Sequence, residues 1–594
     1  MLRANAHYFD VTMEIPLSGT ENQLVLVMPT WTPGHYLVEE FARHVDEVKA
    51  FDAVSGAKLD VTKVSKASWL VVSNGTKWVR VAYSAYAFSY VVDASYLDSE
   101  HALLNGASLF LYVEGMKENR VRLKLIPSAP WKNVSTGLES VGEWEFTAPD
   151  YDVLIDSPLE VGNQEVSSFD VEGARFEVSV FGKVSVDTAK FIEDLQAIVE
   201  KTITVIGQVP FKRYVFLVNF TESAVGGLEH LNSTMCFVPR FRMMPREEYN
   251  LMMGIFSHEF FHAWNVKRMR PNGLGPFNYT SETYTRSLWI AEGITSYYDD
   301  LILRRAGLYS VEEYLDAFVM NINLMAAFPG SRKQSAEESS FDAWTKFYKP
   351  DENSPNAVFS YYTQGAVIGW MLDMTVRKKS EGQHNLDDAM RKLYSETFLK
   401  NGRGYTDNEF EAACVSFGGP AVSQIFNSRV RGRAEVDYDQ FLGYVGLRLA
   451  EKENEKGPKG FLGASLASEG GRKTTLIKAV LASTPAEDMA LAVNDEIIAI
   501  DGIRVTAERL VFLIATMAPG REIALTVARN GMLKELRGQV GKKPVFQHRI
   551  QPRRGASKEE RELFKGWLLS EWKEELQYPD YARSPDRKQL LEFV

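Results

Sequence analysis

Cysteine is almost absent from this chain of 594 residues, which contains only Cys236 and Cys414. Two cysteines cannot form the disulfide framework that stabilises small secreted domains. They also cannot supply a metal site made of cysteine alone. The shortage is compatible with a reducing compartment.

Long apolar runs and basic tracts are missing as well. No apolar stretch approaches the roughly 20 residues that cross a bilayer, so a membrane span is not expected. The formal net charge is −11 and the basic residues do not cluster, which argues against nucleic-acid binding because phosphate contacts need concentrated positive charge. The first residues lack the basic segment and apolar stretch of a signal peptide, so we expect a cytoplasmic protein.

The length and the sequence patterns predict a multidomain α+β protein. Residues 1–168 are expected to form an N-terminal β-sandwich-like domain, because short segments rich in β-branched and aromatic residues alternate with turn sequences such as SNGT. Residues 169–452 begin with a helical pattern at 186–207 and a strand, KRYVFLVNF, and continue mainly as helical segments. This order predicts a mixed lobe followed by a helical lobe.

The last part of the chain is set off by EKENEKGPKG at 451–460, a charged stretch without apolar residues that predicts a linker. A compact domain with strands and two short helices is expected over 453–543. The tail, 544–594, contains EERELFKGWLLSEWKEEL, which predicts a terminal helix docked on another domain.

Two histidines in the segment GIFSHEFFHAWNVKR are the first candidates for a metal site. His258 and His262 are four residues apart, and this spacing places them on one face of a helix. Two imidazoles placed in this way can bind one Zn²⁺. Glu259 follows the first histidine directly, which is the position of a general base acting on metal-activated water. The apolar residues around the motif are expected to bury the helix and exclude bulk solvent.

A catalytic zinc usually has a third protein ligand, and two glutamates compete for this role. Glu282 lies in the polar segment NYTSETYT, where a solvated loop carboxylate is the simpler interpretation. Glu292 lies in the apolar helical segment SLWIAEGITSYYDD, where a buried carboxylate needs a partner. Metal coordination would supply that partner, so Glu292 is the favoured ligand.

These residues resemble the glycyl aminopeptidase family of gluzincin zinc metallopeptidases. HEFFHAWNVKR, followed about thirty residues later by LWIAEG, matches its metal motif. WTPGHYLVEEFARHV at 31–45 resembles its N-terminal signature, and GGLEH at 226–230 resembles the Gly-x-Met-Glu-Asn exopeptidase motif of related aminopeptidases. A PDZ-like domain near the C-terminus completes the domain order, so the resemblance covers nearly the whole chain.

The resemblance implies an N-terminal β domain, a thermolysin-like catalytic domain and a PDZ domain. It implies one zinc ion per chain and a preference for small N-terminal residues such as Gly or Ala. By position it makes His258, His262 and Glu292 the zinc ligands and Glu259 the general base. It also makes Tyr362 the hydrogen-bond donor to the oxyanion, with the neighbouring Tyr361 as the alternative.

The GGLEH segment is expected to bind the substrate. Gly226 and Gly227 permit the close backbone approach that a peptide bound along an edge strand requires. Glu229 is expected to bind the α-ammonium group of the substrate. His230 stands where the related motif has Asn, and a structural hydrogen bond is favoured for it over a role as a fourth metal ligand.

The PDZ-like domain begins with GFLGASL at 460–466, which resembles a loop that binds a peptide C-terminus through backbone N–H groups. Asp501 and Gly502 are expected to form a hairpin turn. TAERLVFLIATM is expected to be the helix that borders the groove. Whether the groove binds a peptide end or the domain serves only for packing stays open at this point.

The function predicted from the sequence is zinc-dependent hydrolysis of N-terminal residues from peptides. One alternative is a zinc endopeptidase whose PDZ domain recruits longer chains. The other is a peptide-binding scaffold with an inert zinc site. Cleavage of free peptides compared with N-acetylated peptides discriminates between the two peptidase hypotheses.

Overall fold

The computed structural model of the protein describes residues 4–184, 186–451, 460–469, 472–542 and 548–578. The chain divides into two compact units. The first comprises Met1–Thr285 and Met390–Thr406, and the second comprises Arg286–Ala389 and Asp407–Val594. Residues 452–459, most of the predicted linker, lie outside the described residues.

The N-terminal part of the first unit is built from strands, as the sequence predicts. They form two four-stranded sheets early in the chain, then a three-stranded and another four-stranded sheet. The strands are Tyr8–Pro16, Gln23–Val27, Val45–Asp52, Lys58–Leu59, Val61–Lys63, Ser68–Val72, Trp78–Tyr86, Tyr96–Leu97, Ala102–Leu104, Tyr112–Val113, Val121–Lys124, Asn133–Thr136, Glu139–Gly142, Glu145–Ala148 and Leu159–Gly162.

Strict alternation of buried and exposed side chains explains how these strands form a core. In Trp78–Tyr86 every second side chain is buried, and Val79, Val81 and Tyr83 enter one continuous apolar cluster. The opposite face carries Arg80 and Ser84, which stay partly exposed. A period of two is the pattern of a sheet with one buried face, so the sandwich-like prediction is confirmed. A 3₁₀ helix, Phe41–His44, directly precedes the strand Val45–Asp52.

The second part of the first unit contains a five-stranded mixed sheet and two long helices. The strands, in their order across the sheet, are Glu165–Val171, Ala174–Phe181, Arg213–Thr221, Ser233–Pro239 and Gly226–Glu229. Helix Thr188–Ile206 begins at Asp187, whose side chain accepts from two backbone N–H groups, and ends at Gly207 in the left-handed region. The strand Gly226–Glu229 stands at one edge of the sheet.

The second unit begins with a helical region. Its α-helices are Thr295–Ala306, Val311–Ala327, Ala336–Phe341, Ser354–Ala357, Tyr361–Lys379, Asp407–Gly418, Pro420–Ile425 and Tyr438–Gly443. The helix Leu386–Tyr394 spans the boundary between the two units in sequence. Three short π-helical turns interrupt these helices in the part of the unit that the structure describes, at Trp289–Ile294, Ala343–Phe347 and Phe426–Val430. A further π-helical turn, Ser395–Leu399, follows helix Leu386–Tyr394 and belongs to the first unit.

The PDZ-like part of the second unit has its own apolar core. Its sheet contains Ala464–Glu469, Arg472–Val480, Glu496–Ile500, Ile503–Arg504, Glu522–Arg529 and Met532–Gln539, with helices Pro485–Asp488 and Ala507–Thr516. The predicted hairpin turn is present, since Asp501 and Gly502 both have positive φ angles between two paired strands. Asn356 fixes this part to the helical region by bonding the backbone of Val480 and Ala482.

The terminal helix is shorter than predicted. It spans Lys558–Leu568 and stops at Leu569, which adopts the left-handed conformation, so the remainder of the predicted helix is irregular where the structure describes it. The helix ends there because it docks on another helix of the same unit. The indole of Trp567 is fully buried and donates to the Tyr297 hydroxyl at 3.1 Å, and the chain then turns so that the Arg561 guanidinium lies over the Trp572 ring.

None of the helices in the described part of the chain combines the length and the apolar character needed to cross a bilayer.

Candidate metal centre and substrate site

The predicted metal helix is present as Arg246–Phe261, with His262 as its C-terminal cap. The backbone N–H of His262 still bonds to the carbonyl of His258, so both histidines lie on one face. Their rings meet edge to face with centroids 4.7 Å apart. The other face of the helix is buried in an aromatic cluster, in which Phe260 lies 5.0 Å from the Tyr214 ring.

The orientation of His262 is set by its own backbone segment. Its Nδ1 lies 2.6 Å from the backbone carbonyl of Asn265 and the side chain is almost fully buried. A carbonyl only accepts, so Nδ1 carries the proton and Nε2 presents its lone pair. This is the arrangement by which proteins orient metal-binding histidines. The donor set of this helix therefore fits a zinc ion.

The general-base candidate Glu259 packs against the edge strand Gly226–Glu229. A side-chain carbon on Gly227 would overlap the Glu259 carboxyl group, so glycine is required for this close approach. The strand pairs with Ser233–Pro239, with Gly227 opposite Cys236, and no second neighbour is present among the described strands. In other proteins, edge strands of this kind are where extended peptides bind by backbone pairing.

Glu229 lies two residues beyond Gly227 on the same strand, so both face the same side of the sheet. Its carboxylate is nearly inaccessible, at 4% exposure of the residue, yet it accepts no hydrogen bond from the described residues. One ligand atom from each of Glu229, Glu259 and His262 lies within 4.8 Å of the others. The first unit thus brings together the predicted base, the predicted amine anchor and one predicted zinc ligand.

The N-terminal signature contributes a wall to this site. Gly34 has a φ angle of +99°, and a side-chain carbon there would lie 2.8 Å from both carboxylate oxygens of Glu229. A residue other than glycine would be strained in this conformation and would collide with the carboxylate. The loop that contains Gly34 therefore passes directly over the Glu229 carboxylate.

A buried charge cluster lies behind Glu229. The Lys267 ammonium is 2.8 Å from Asp156 and 3.9 Å from Glu229, and the His230 Nδ1 is 3.1 Å from Asp156. Burial raises the pKa of Asp156, but Lys267 and His230 outweigh burial and hold it below its usual value. Burial lowers the pKa of Lys267, but Asp156 and Glu229 outweigh burial and hold it above its usual value. His230 thus makes the structural hydrogen bond that the sequence favours.

Glu292 and Tyr362 lie in the second unit. Glu292 is buried in the π-helical turn Trp289–Ile294, a distortion that is frequent at functional sites. This turn packs on helix Tyr361–Lys379 through two glycines, because a side-chain carbon on Gly293 would lie 2.7 Å from the Tyr361 carbonyl oxygen and would overlap Gly365. The glycine contact brings the start of the helix next to Glu292.

The two neighbouring tyrosines have different surroundings. Tyr361 is fully buried, and its hydroxyl lies 3.5 Å from the Tyr348 hydroxyl. Tyr362 is half-buried, and its pKa is raised well above the usual value, first by burial, next by the charge of Glu292, and also by a hydrogen bond with Tyr348. Tyr362 is therefore protonated at neutral pH and can donate a hydrogen bond beside Glu292.

Glu282, the rival third ligand, lies in an irregular and half-exposed segment. It belongs to none of the described groups of histidine and carboxylate side chains that could hold a metal ion.

Three residues of the site are absent from the predictions. Lys267 lies within HEFFHAWNVKR, five residues after His262, and Gly34 lies within the N-terminal signature, so the sequence context of both carries a signal. Asp156 carries none, because its partner Lys267 is 111 residues away in the chain.

Comparison with known proteins is consistent with this site. The model of the Peptidase M61 N-terminal domain matches residues 1–163, and the M61 glycyl aminopeptidase model matches residues 251–368. Over these two stretches the chain is similar to the M61 glycyl aminopeptidase family. A PDZ domain model matches residues 443–540. The match to the M61 peptidase model supports a metallopeptidase, as the sequence predicts.

Among solved structures, the chain is similar to an aminopeptidase N family protein from Idiomarina loihiensis, with 28% identity, a TM-score of 0.87, and coverage of 95% of this chain and 98% of that chain. The M1 zinc metallopeptidase from Deinococcus radiodurans aligns with 12% identity and a TM-score of 0.44, over 73% of this chain and 92% of that chain. Yeast LTA4 hydrolase aligns with 15% identity and a TM-score of 0.44, over 73% and 64%. No curated protein matches the sequence.

Proposed function

We propose that the protein is a zinc-dependent aminopeptidase that removes single residues from the N-terminus of peptides, with Gly and Ala among the residues it removes. The glycyl specificity rests on the description of the M61 family. The exopeptidase mode rests on the geometry around Glu229.

His258, His262 and Glu292 are the residues proposed to hold the zinc ion. The orientation of the His262 ring by the Asn265 carbonyl supports this assignment, as does the burial of Glu292 in a distorted helical turn. Zinc held there supplies Lewis-acid chemistry, which lowers the pKa of water and polarises a carbonyl oxygen.

The other residues handle protons and position the substrate. Glu259 takes a proton from the attacking water and returns it to the leaving amine. The hydroxyl of Tyr362 donates a hydrogen bond to the oxyanion. The backbone of Gly226 and Gly227 pairs with the peptide, and Glu229 accepts from the α-ammonium group.

The short distance between the base and the amine anchor carries the proposal. One carboxyl oxygen of Glu229 and one of Glu259 lie within 4.8 Å of each other. In a peptide, the α-nitrogen and the carbonyl carbon of the same residue are at most about 3 Å apart, because two bonds of about 1.5 Å join them. An ammonium bound at Glu229 therefore leaves space for one residue before the bond to be cleaved, which is the geometry of an aminopeptidase.

The decisive experiment compares alanyl-aminomethylcoumarin with its N-acetyl form on the wild type and on Glu229→Gln. We expect the wild type to cleave the free amine strongly and the acetylated form hardly at all, because acetylation removes the charge that Glu229 binds. Glu229→Gln should lose most activity on the free amine. Glu114→Gln, at an exposed carboxylate outside the site, is the control and should behave as wild type. Efficient cleavage of the acetylated substrate would instead support the PDZ-assisted endopeptidase.

For the PDZ domain we propose that a peptide C-terminus binds along the strand Ala464–Glu469. This strand is the last in its sheet as far as the structure describes the domain. Gly463, which precedes it, has a φ angle of +87°, a conformation that lets consecutive backbone N–H groups point toward an anion. Binding of peptides with free and amidated C-termini to the full chain tests this.

A further inference from the structure

A loop of the N-terminal β region covers the proposed amine anchor. This loop, residues 28–40 (the Gly34 loop), follows the strand Gln23–Val27. A side-chain carbon on Gly34 would lie 2.8 Å from both carboxylate oxygens of Glu229 and 2.6 Å from the Leu228 side chain. Charges attract each other more strongly where water is excluded. The position of this loop therefore bears on how tightly Glu229 binds an ammonium group.

A second loop contacts the opposite end of the edge strand. This loop, residues 87–95 (the Asp93 loop), follows the strand Trp78–Tyr86. A side-chain carbon on Gly226 would lie 3.9 Å from both methyl groups of Val92, the residue before Asp93. The two loops therefore contact the two ends of the strand on which the substrate is proposed to bind.

Asp93 joins the two loops through both its backbone and its side chain. Its carbonyl oxygen accepts a hydrogen bond from the Thr32 hydroxyl at 2.9 Å. Its carboxylate lies 3.0 Å from Nδ1 of His35. Thr32 stands two residues before Gly34, and His35 follows Gly34 directly. Asp93 therefore holds the Gly34 loop on both sides of the residue that covers Glu229.

The surroundings of His35 favour its charged form. Burial lowers the pKa of His35, but Asp93 and the more distant Glu39 outweigh burial and raise it above the usual value. Nδ1 of His35 is 3.7 Å from the Glu39 carboxylate. Glu39 belongs to the same loop as His35, so only the contact with Asp93 joins one loop to the other. Asp93 itself is buried, and a shielded ion pair contributes more than an exposed one.

On the basis of the proposed aminopeptidase function, we propose that Asp93 and His35 are positioning residues that hold the Gly34 loop over Glu229, and that this arrangement sets the preference for a free N-terminus. With the loop in place, water is kept from the Glu229 carboxylate, which binds an ammonium group strongly and disfavours a blocked terminus. With the loop released, water competes with the substrate for Glu229.

The test measures kinetics of Asp93→Ala and His35→Ala in the full zinc-loaded chain, with alanyl-aminomethylcoumarin and its N-acetyl form. We expect each substitution to raise KM for the free amine about tenfold, a typical coupling between contacting residues. The change in kcat should stay below about twofold, because the residues proposed for the chemical step are untouched. The ratio of kcat/KM for the free amine to that for the acetylated form should fall about tenfold, with zinc content unchanged.

Further variants separate a specific pair from a general loss of stability. If Asp93 and His35 act together, the double alanine variant should show the same rise of about tenfold in KM, not about a hundredfold. Asp93→Asn keeps an oxygen acceptor for His35 and the backbone bond to Thr32, so KM should rise only about threefold. Glu40→Gln is the matched control, since it removes an exposed ion pair with Lys66 from the same loop. It should leave KM unchanged.

Each other outcome overturns one defined claim. An unchanged KM in both alanine variants would overturn the positioning role and leave the aminopeptidase function intact. A fall in kcat at constant KM would also overturn it, because the pair would then act on the chemical step. If the alanine variants do not fold, Asp93→Asn decides, and a KM equal to that of Glu40→Gln would overturn the proposal. A wild type that cleaves both substrates equally well would overturn the aminopeptidase function itself.

Discussion

At the scale of single residues, different side chains of the site are proposed to bind the metal ion and to transfer protons. His262 donates from Nδ1 to the Asn265 carbonyl, and this leaves its other nitrogen for a metal ion. Glu259 sits next to this histidine but is directed at the edge strand, where Gly227 makes room for its carboxyl group. These neighbours on one helix should therefore respond differently to substitution.

The first prediction compares metal content with turnover. His262→Ala should lose both zinc and activity, because it removes a ligand. Glu259→Gln should retain zinc and lose turnover by several orders of magnitude, because the amide cannot take a proton. Elemental analysis of the purified proteins together with kinetics on an alanyl substrate checks both. A Glu259→Gln protein that still hydrolyses the substrate would show that another group is the base.

The second prediction concerns the tyrosine pair. Tyr362→Phe should lower kcat about 100- to 1,000-fold with little change in KM, the usual effect of removing one donor to an oxyanion. Tyr361→Phe is the matched control, since the Tyr361 side chain is fully buried, whereas Tyr362 is half-buried. It should change stability more than kcat. If Tyr361→Phe lowered kcat and Tyr362→Phe did not, Tyr361 would be the donor to the oxyanion.

At the scale of elements, close packing between two backbones positions the residues of the second unit. The π-helical turn at Trp289–Ile294 and helix Tyr361–Lys379 touch where Gly293 meets Gly365. Gly365 lies three residues after Tyr362 on the same helix. A change in the separation of these two elements would therefore move Tyr362 relative to Glu292.

The third prediction follows from this contact. Gly365→Ala would place a side-chain carbon 2.6 Å from the Gly293 α-carbon, so the helices must separate. We expect a loss of about 1–3 kcal/mol in the free energy of unfolding and a larger fractional loss of kcat. Gly443→Ala is the control, because a side chain there meets open space at the end of another helix. Urea denaturation and kinetics of both variants test this, and equal behaviour would contradict it.

The sequence predicts those elements that a short run of neighbouring residues specifies. The metal helix, the glycine-containing edge strand, the hairpin at Asp501–Gly502 and the burial of Glu292 all follow from short patterns. The pairing of Asp156 with Lys267, the passage of Gly34 over Glu229 and the Gly293–Gly365 contact do not, because each joins distant parts of the chain and no periodicity encodes them. The early end of the terminal helix has the same cause, since docking of Trp567 outweighs helix propensity.

At the scale of the whole molecule, stability depends on charged side chains that have little exposure to solvent. The cluster of Asp156, Lys267 and His230 lies beside the site but takes no part in the proposed chemistry. The pKa of Asp156 is lowered by Lys267 and His230 despite burial, and that of Lys267 is raised by Asp156 and Glu229 despite burial. Both shifts mean that folding favours the charged forms.

The fourth prediction gives the pH window of this contribution. The part from Asp156 is present above its usual pKa of 3.8 and is lost as the pH falls through its lower folded value. The part from Lys267 is present below 10.5 and is lost as the pH rises through its higher folded value. Asp156→Asn should therefore cost about 3 kcal/mol of unfolding free energy near pH 7, and the difference should shrink at both extremes.

Urea denaturation of the wild type and Asp156→Asn across pH 3 to 11 measures this difference. Asp60→Asn is the control, since Asp60 is exposed and forms no side-chain ion pair within the part of the chain that the structure describes. A cost that stays constant with pH would mean that packing, rather than charge, makes Asp156 important.

The loop around Gly34 has a consequence for how this enzyme class diversifies. The wall over Glu229 comes from a stretch of chain almost two hundred residues before the carboxylate itself. Substitutions in that stretch can reshape what the enzyme accepts while every residue of the metal motif stays the same. Two descendants of one ancestor can thus keep identical chemistry and come to act on different peptides, and the difference between them will be recorded in the first forty residues of their sequences.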